Sequence, residues 1–293
     1  MIDRETIVAA LDAGERGLLG DEMRTSVLDH GARTARVVVL LHGLTASPRT
    51  WREFAHARFG RGENVLVPRL PRHGHADRMT AALAHLTRDE LTRQAERIVD
   101  AAAALGDEIV LVGHSLGGAL TLHLAHRDAR IARAVAVAPF IGIKRVPHDW
   151  HVLVRRAVER APNLFLYWNP VDRGRSLPPH GYPRYTTRAL AAGLALADAL
   201  RDDARRGAPR AASVEIVRNA AETSVSNAAI DDLVARWRAA GGANVRVHAL
   251  VGLGASHDVV EPEHRGAPAL RFLPALHALL DAPPPHRDET IAL

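Results

Sequence analysis

The serine at position 115 is set between glycines in a pattern that suits nucleophilic chemistry. Residues 109–120 read IVLVGHSLGGAL, and residues 113–117 match Gly-x-Ser-x-Gly. An apolar run precedes the motif and a helical pattern follows it, which predicts a tight strand-to-helix turn with the serine at its apex. Glycine suits such a turn because a side chain there would collide with neighbouring backbone. We therefore expect the Ser115 hydroxyl at the start of a helix, whose free N–H groups can bind a developing oxyanion.

A serine hydroxyl is a weak nucleophile at neutral pH and needs a neighbouring base. His257, in GLGASHDVVEP, follows the last predicted strand and so falls at the carboxyl edge of the predicted sheet, where catalytic groups collect. His42 and His114 flank turns and are interpreted as structural. His73 and His75, in PRHGHAD, have no third clustered ligand beside them, so we predict neither a metal site nor a cofactor.

The base in turn needs an acid that orients it. Glu222, in NAAETSVSN, follows the predicted strand SVEIVRN and is our candidate. The chain order is then serine, acid, histidine. Asp231 and Asp232 are rivals, but they fall inside the next predicted helix. Asp258 adjoins the histidine and is expected to point elsewhere.

An oxyanion hole needs two N–H donors. Leu116, directly after the serine, is expected to supply one of them. Leu44 directly follows the His-Gly pair at the end of VVVLLHG and is the best candidate for the other. Only the backbone of these residues matters, so their side chains need not be polar.

Short runs rich in Val, Leu and Ile alternate with helical patterns along the chain. Near-continuous apolar strands suit a parallel sheet that is covered on both faces, so we predict a doubly wound, mostly parallel α/β sheet. The predicted strands cover residues 35–43, 64–70, 108–115, 133–140, 213–219 and 245–253. The predicted helices cover residues 50–58, 87–105, 116–126, 228–240 and 267–280.

The segment 141–209 breaks this alternation, because no strand is predicted in it. We interpret it as a largely helical cap inserted into a core made of residues 1–140 and 210–293. Seven of the twelve Phe, Trp and Tyr residues lie between positions 140 and 185. They form either a small core of the insertion or an apolar cap over a pocket. In the second case Phe140, Trp150 and Trp168 are candidate substrate contacts.

Composition excludes several classes of protein. The chain of 293 residues has no cysteine, which excludes disulfides and thiolate chemistry. Its net charge is +5, but the arginines are interleaved with acids, so no nucleic-acid partner is predicted. No apolar run reaches the ~20 residues of a membrane span, and the charged start of the chain predicts an amphipathic helix on a cytoplasmic protein. The tail DAPPPHRDETIAL is expected to be frayed.

Four segments together resemble the α/β-hydrolase superfamily. They are VVVLLHGLTASPRTWREFA, VLVPRLPRHG, VLVGHSLGGAL and ASHDVVEP. They are most similar to bacterial carboxylesterases and monoacylglycerol lipases, over roughly residues 35–140 and 210–280. The resemblance implies hydrolysis of an acyl ester through an acyl-enzyme, by a triad and an oxyanion hole. Those roles carry over to Ser115, Glu222, His257, Leu44 and Leu116.

The acid loop departs from the family pattern. Where the family usually has Gly-x-x-Asp-x-x-Val, this chain has Asn219, Glu222 and Val225 at the same spacing. The loop must sit slightly further back, since Glu is longer by one methylene. The family's PGHG is PRHG in this chain.

The sequence therefore predicts a serine esterase acting on a small-molecule substrate, an ester with a medium acyl chain or another hydrophobic ester. The same triad can also cleave an amide, a thioester or a carbon–carbon bond, or run perhydrolysis. A hydrolase fold reused as a small-molecule receptor is a third hypothesis. Haloalkane dehalogenases and typical epoxide hydrolases are disfavoured, because they have an aspartate at the position of Ser115.

Overall fold

The computed structural model describes residues 3–147, 150–175, 177–264 and 268–293. It contains an eight-stranded sheet in the order β1-β3-β2-β4-β5-β8-β9-β10 and a separate pair, β6 and β7. The strands are β1 (Ser26–Leu28), β2 (Thr34–Leu41), β3 (Asn64–Val67), β4 (Gly106–His114), β5 (Ile131–Val137), β6 (Phe165–Tyr167), β7 (Arg184–Thr186), β8 (Val214–Asn219), β9 (Val245–Val251) and β10 (Glu289–Ala292). Every pairing in the large sheet is parallel except that of β1 with β3, which confirms the predicted class of fold.

Helices cover both faces of this sheet. Their bounds are α1 (Arg4–Leu11), α2 (Arg52–Phe59), α3 (Arg88–Leu105), α4 (Leu116–Arg127), α5 (His151–Arg160), α6 (Thr187–Ala204), α7 (Asn227–Ala239) and α8 (Ala269–Asp281). The helix α1 was expected from the charged start of the chain. The predicted start of the last helix, Ala267, lies outside the described residues.

The core consists of two apolar clusters, one on each face of the sheet. In β2 the last five residues are fully buried, and successive side chains alternate between the clusters. Val37, Val39 and Leu41 belong to the cluster beneath α1, α3, α4, α6 and α7, whereas Val38 and Leu40 belong to the cluster beneath α2 and α8. The continuous apolar run thus follows from burial on both sides.

The expectation of a frayed tail is wrong, because β10 pairs in parallel with β9 at the edge of the sheet. Its side chains are mostly exposed, so no apolar pattern marks it in the sequence. Backbone hydrogen bonds, rather than buried side chains, hold this segment on the sheet: Leu293 N donates to Val251 O at 3.2 Å. The edge strand β1 was missed for a similar reason, since only Val27 of its three residues is buried.

The expectation of no strand in residues 141–209 is also wrong. The strands β6 and β7 form an antiparallel pair, with Leu166 opposite Tyr185. Each strand has three residues, too few for periodicity to reveal. The rest of the segment contains α5 and α6, and α6 packs a row of buried Ala and Leu side chains against α4.

Within the part of the chain that the structure describes, no helix has the length and the apolar character needed to cross a bilayer.

Candidate active site

Ser115 occupies a sharp turn between a buried strand and a helix. The strand β4 ends at His114 and α4 begins at Leu116, while Ser115 has φ 54° and ψ −113°. A Cβ at Gly113 would lie 2.2 Å from Gly117 O, and one at Gly117 would lie 2.3 Å from Leu41 O. Only glycine fits these two positions, so the motif is required by the close approach of β2, β4 and α4.

Three side chains that are far apart in the sequence meet at this turn. Ser115 Oγ lies 2.9 Å from His257 Nε2, and His257 Nδ1 lies 2.8 Å from Glu222 Oε2. The Nδ1–H donates to the carboxylate, which leaves Nε2 free to accept the hydroxyl proton. The structure thus brings together the three residues that the sequence analysis selected, and they form an unbroken chain of hydrogen bonds.

Glu222 is held as an anion inside the protein. It is 2% exposed, and its Oε1 accepts hydrogen bonds from the backbone N–H groups of Thr223 and Ser224 at 2.7 and 2.6 Å. Burial raises the pKa of the Glu222 carboxyl, but the His257 hydrogen bond and charge, with these two N–H donors, outweigh it, so the net shift is downward.

The pKa of the His257 imidazole is shifted in the opposite direction, upward. Burial lowers its pKa, but the hydrogen bond and negative charge of Glu222, with a further contribution from Asp258, outweigh burial and raise it above the ordinary value of 6.5. A raised pKa makes the ring a stronger acceptor for the proton of Ser115.

His114 and Asn219 hold the loop that carries His257. Burial lowers the pKa of His114 to about 4, so the ring is neutral at pH 7. Its Nε2–H donates to His257 O at 2.9 Å. Asn219 Nδ2 donates to Gly254 O and Ser256 O at 2.9 and 2.7 Å, which ties the acid loop to the histidine loop. The sequence marked Asn219 only as a departure from the family pattern.

The two predicted oxyanion donors flank the serine. The N–H of Leu116 belongs to the first turn of α4 and has no acceptor within the helix. Leu44 lies in the loop after β2, which passes close to the serine: a Cβ on Gly43 would be 3.3 Å from Ser115 Cβ. None of the described residues accepts a hydrogen bond from the Leu44 N–H.

The histidines interpreted as structural have structural contacts. His42 is fully buried, its Nε2 accepts from Leu70 N at 3.1 Å and its Nδ1 contacts Gly43 O at 2.9 Å. His73 Nδ1 contacts Pro71 O at 2.7 Å, and His75 Nε2 lies 3.2 Å from a Glu15 oxygen. Among the described residues no group of three or more potential ligands could hold a metal ion.

The rival acids are engaged elsewhere. Asp231 pairs with Arg218 at 3.0 Å, and Asp232 pairs with Arg236 at 2.7 Å, both from α7. Asp258 lies at the rim of the site, 3.8 Å from His264. None of the three contacts His257 Nδ1, which Glu222 occupies.

A cavity of about 390 Å³ opens above Ser115. Its walls come from the loop 43–46, the cap residues 168–169 and 177–182, and the histidine loop 257–264. Trp168 lines it as expected, but Phe140 and Trp150 do not. The ring of Phe140 packs against Gly193 of α6, and Trp150 is 58% exposed at the start of α5. Assigning these two to the pocket was wrong, because the sequence does not show which way their side chains point.

A second histidine–glutamate pair lies in the cavity wall. His180 Nε2 is 3.3 Å from Glu261 Oε2, His180 Nδ1 is 3.1 Å from Ser47 Oγ, and Thr50 Oγ1 donates to Glu261 at 2.8 Å. Burial raises the pKa of Glu261, but the bond to His180 and the other contacts outweigh it, and the pKa falls. Since Ser47 is fully buried, this set presents no nucleophile to a substrate. Nothing in the sequence spacing indicates the pair.

Comparisons with solved structures show the same fold. A structure reported with LipS and LipT, two metagenome-derived lipolytic enzymes, has 19% identity, a TM-score of 0.66 and coverage of 90% of this chain and 99% of the other. A monoglyceride lipase from Saccharomyces cerevisiae has 12% identity and a TM-score of 0.66, and the match covers 88% of this chain and 91% of the other. A monoacylglycerol lipase from Paleococcus ferrophilus has 20% identity and a TM-score of 0.64, and the match covers 88% of this chain and 98% of the other.

One curated relative is similar in sequence over a shorter stretch. The magnesium-chelatase 30 kDa subunit of Rhodobacter capsulatus is 36% identical over 112 residues, which make up 38% of this chain. The match spans 37% of the length of that protein.

The sequence model of the alpha/beta hydrolase family matches residues 38–284, which include the serine turn, the acid loop and the histidine loop. From this match, and from the parallel sheet that carries Ser115 at the end of β4, the chain belongs to the alpha/beta hydrolase family.

Proposed function

We propose that the protein is a serine hydrolase that cleaves carboxylic ester bonds through an acyl-enzyme. The observation that carries this proposal is the chain of hydrogen bonds from Ser115 Oγ through His257 to Glu222, at 2.9 and 2.8 Å. It supplies in one place a nucleophile, a base and an anion that orients the base.

In the first half of the reaction, Ser115 Oγ bonds to the ester carbonyl carbon as its proton passes to His257 Nε2. The carbonyl oxygen becomes an oxyanion, and the N–H groups of Leu44 and Leu116 are the donors proposed to bind it. One such donor is worth about 100- to 1000-fold in rate. The intermediate then expels the alkoxide, which takes the proton from His257 and leaves as the alcohol.

In the second half, water attacks the acyl-enzyme and gives one proton to His257 Nε2. The tetrahedral intermediate collapses to the free carboxylic acid as the C–Oγ bond breaks, and His257 returns the proton to Ser115. Glu222 stabilises the imidazolium in both halves without taking its proton.

The charge of the cavity wall favours an uncharged ester. Its described lining residues include the carboxylates of Asp258 and Glu261 but neither arginine nor lysine, although the whole chain carries +5. Arg49, behind the wall, is paired with Glu263 and Glu22. A polyanionic thioester carrier would be repelled at such a wall, whereas an uncharged ester loses nothing there. The small volume and the mixture of hydroxyl and apolar groups suit a short or medium acyl chain.

The test is a comparison of Ser115→Ala with wild type on p-nitrophenyl butyrate. We expect kcat to fall by at least about 10⁴-fold with an unchanged circular dichroism spectrum. The matched control is Ser26→Ala, an exposed serine on β1 that does not line the cavity. A fluorophosphonate probe should label the wild type and the control but not Ser115→Ala. Near-normal turnover by Ser115→Ala would refute the proposal.

A panel of matched substrates tests the type of bond. We expect the highest kcat/KM for the uncharged butyrate ester, and lower values for butyryl-coenzyme A, a butyramide and the p-nitrophenyl half-ester of succinate. If the coenzyme A thioester is the best substrate, the reaction is that of a thioesterase. If the probe does not label wild-type protein and no substrate turns over, the fold serves as a small-molecule receptor.

A further inference from the structure

The loop that carries the proposed oxyanion donor Leu44 contains a strained residue. Thr45 has φ 67°, in the left-handed region that a β-branched residue rarely adopts. Such a conformation persists only where the surrounding structure imposes it. Thr45 lies inside the turn 43–46, in which Ala46 N donates to Gly43 O at 3.2 Å. The Gly43 carbonyl shares its peptide group with the Leu44 N–H, so a rotation at Thr45 would disturb the hydrogen bond that helps to hold this N–H in place.

Two hydrogen bonds from the cap reach Thr45. Trp168 Nε1 donates to Thr45 Oγ1 at 2.8 Å, and Tyr182 N donates to Thr45 O at 2.8 Å. Thr45 is therefore bonded through both its side chain and its carbonyl to the cap.

The two cap residues have further contacts, Tyr182 as a buried side chain and Trp168 as one that is 46% exposed. Tyr182 is 3% exposed, its hydroxyl accepts from His75 N at 2.9 Å and donates to Arg72 O at 3.1 Å. The ring of Trp168 lies against that of Tyr185, with 4.3 Å between their centroids. The indole N–H therefore reaches Thr45 from a supported ring rather than from a free side chain.

The peptide group that carries the Leu44 N–H is held at its carbonyl oxygen, Gly43 O. His42 Nδ1 contacts Gly43 O at 2.9 Å, and Ala46 N donates to Gly43 O at 3.2 Å. One of these contacts therefore comes from the core and the other from Ala46, which follows Thr45 in the turn.

We propose that Thr45 and Trp168 are positioning residues of the oxyanion hole, a proposal that rests on the proposed function. The hydrogen bond from the Trp168 indole to the Thr45 hydroxyl keeps Thr45 in its left-handed conformation and thereby aims the Leu44 N–H at the oxyanion. Trp168 then acts through the loop on the rate of the chemical step, in addition to forming part of the cavity wall.

The test is a double-mutant cycle on wild-type protein with an uncharged p-nitrophenyl ester. Thr45→Val keeps the shape and the strain but loses the acceptor, and Trp168→Phe keeps an aromatic ring but loses the donor. We expect each to lower kcat about tenfold with KM within about twofold, as for a group that acts mainly in the transition state. The double variant should be no slower than the slower single variant, because both remove one interaction.

Two further variants separate positioning from packing. Thr45→Ser keeps the hydroxyl and should recover most of kcat. Trp150→Phe makes the same change of residue in the cap at an exposed side chain that does not line the cavity, so it should leave kcat and KM unchanged. Effects of Thr45→Val and Trp168→Phe that multiply in the double variant would overturn the proposal. So would a raised KM with unchanged kcat, which would make Trp168 only a wall of the pocket.

A second readout does not depend on activity. The backbone amide resonance of Leu44 in ¹⁵N-labelled protein should move in Thr45→Val and Trp168→Phe, and stay in place in Thr45→Ser and Trp150→Phe. If the ester is not hydrolysed but this pattern holds, the proposed function fails and the link between cap and loop stands. If Leu44 does not respond in an active enzyme, the link fails and the proposed function stands.

Discussion

Glu222 and Asn219 depart from the family pattern together, and the structure shows how they fit each other. A glutamate reaches one methylene further than an aspartate, so the acid loop must stand back from His257. The Asn219 amide joins the acid loop to the histidine loop by donating to Gly254 O and Ser256 O. Of the two residues that differ from the pattern, Glu222 thus bonds to His257 and Asn219 bonds to the loop that carries His257.

The pH dependence of the proposed hydrolysis should change in Glu222→Gln. His257 accepts a proton only when neutral, so kcat/KM falls as pH drops through its pKa, which Glu222 raises. Loss of the charge lowers that pKa, so the acid limb of kcat/KM should move to lower pH while the maximum rate falls by at least about 100-fold. The control Glu222→Asp keeps the charge and should keep the limb near its wild-type position. A limb that moves upward in Glu222→Gln would contradict the assignment of His257.

Asn219→Ala should weaken both the fold and the site. Two half-buried hydrogen bonds to backbone carbonyls would be lost, which costs about 0.5–1.5 kcal/mol each of the free energy of unfolding. The histidine loop would also lose its tie to the acid loop, so kcat should fall more than that stability loss explains. Urea unfolding and kcat at a temperature where the variant is fully folded check these two effects. Asn244→Ala, which removes an amide bonded to Ala211 O away from the site, is the control for the effect on kcat.

At the scale of single residues, the sequence predicted the serine, the histidine and the acid as neighbours because motif and chain order constrain them. The bridge made by Asn219 was not predictable, since its acceptors lie 35 and 37 positions further along the chain. The same holds for Thr45 and Trp168, which are 123 positions apart. Their contact depends on the path of the cap, for which the sequence has no periodic signal.

Among the elements, the long central strands were predictable and the edges were not. The strands β2 and β4 are buried on both faces and so carry continuous apolar runs. Strands of three or four residues at the edges or in the cap carry no such run, and the hydrogen bonds to their neighbours hold them.

Removal of residues 284–293 tests the contribution of β10. The deletion takes away the parallel partner of β9 and exposes the edge of the sheet. We expect Tm to fall by at least about 3 °C. An unchanged Tm would mean that β10 adds nothing to stability.

A glycine beside this strand provides a matched measurement. Gly252 has φ 97°, and a Cβ there would lie 2.3 Å from Leu293 O. Gly252→Ala should therefore lower Tm more in the full chain than in the shortened one, where only the cost of the positive φ remains. An equal loss in both would place Leu293 away from Gly252.

At the scale of the whole molecule, buried histidines make stability sensitive to acid. Burial lowers the pKa of His42 well below its ordinary value of 6.5. Burial is also the largest cause that lowers the pKa to about 4 in four other histidines, His73, His114, His123 and His277. The unfolded chain binds these protons near pH 6.5 and the folded chain does not, so their contribution to stability is present above pH 6.5 and is lost as pH falls toward 4.

The buried carboxylates also lose their contribution to stability as the pH falls, at a lower pH than the histidines do. His257, whose pKa is raised, changes stability in the opposite direction. The pKa of Glu215, which pairs with Arg133, is lowered from 4.5: burial alone raises it, and the His248 and Arg133 contacts outweigh burial. Its contribution is therefore present above pH 4.5 and lost below. We expect Tm to fall by about 5 °C or more between pH 7 and pH 5. His123→Gln should reduce that fall; a Tm that rises on acidification would contradict the burial of these rings.

The helix α6 lies within the inserted segment by sequence, yet it packs on α4 and so supports the helix that follows Ser115. A chimera that receives the cap of another hydrolase should therefore be spliced ahead of Thr187, so that the native α6 is retained. A junction near residue 209 would replace the helix that supports the Ser115 turn along with the rest of the cap. The two junctions should therefore affect different properties. A swap at the earlier junction should change the choice of substrate, whereas a swap at the later junction should lower the stability of the fold.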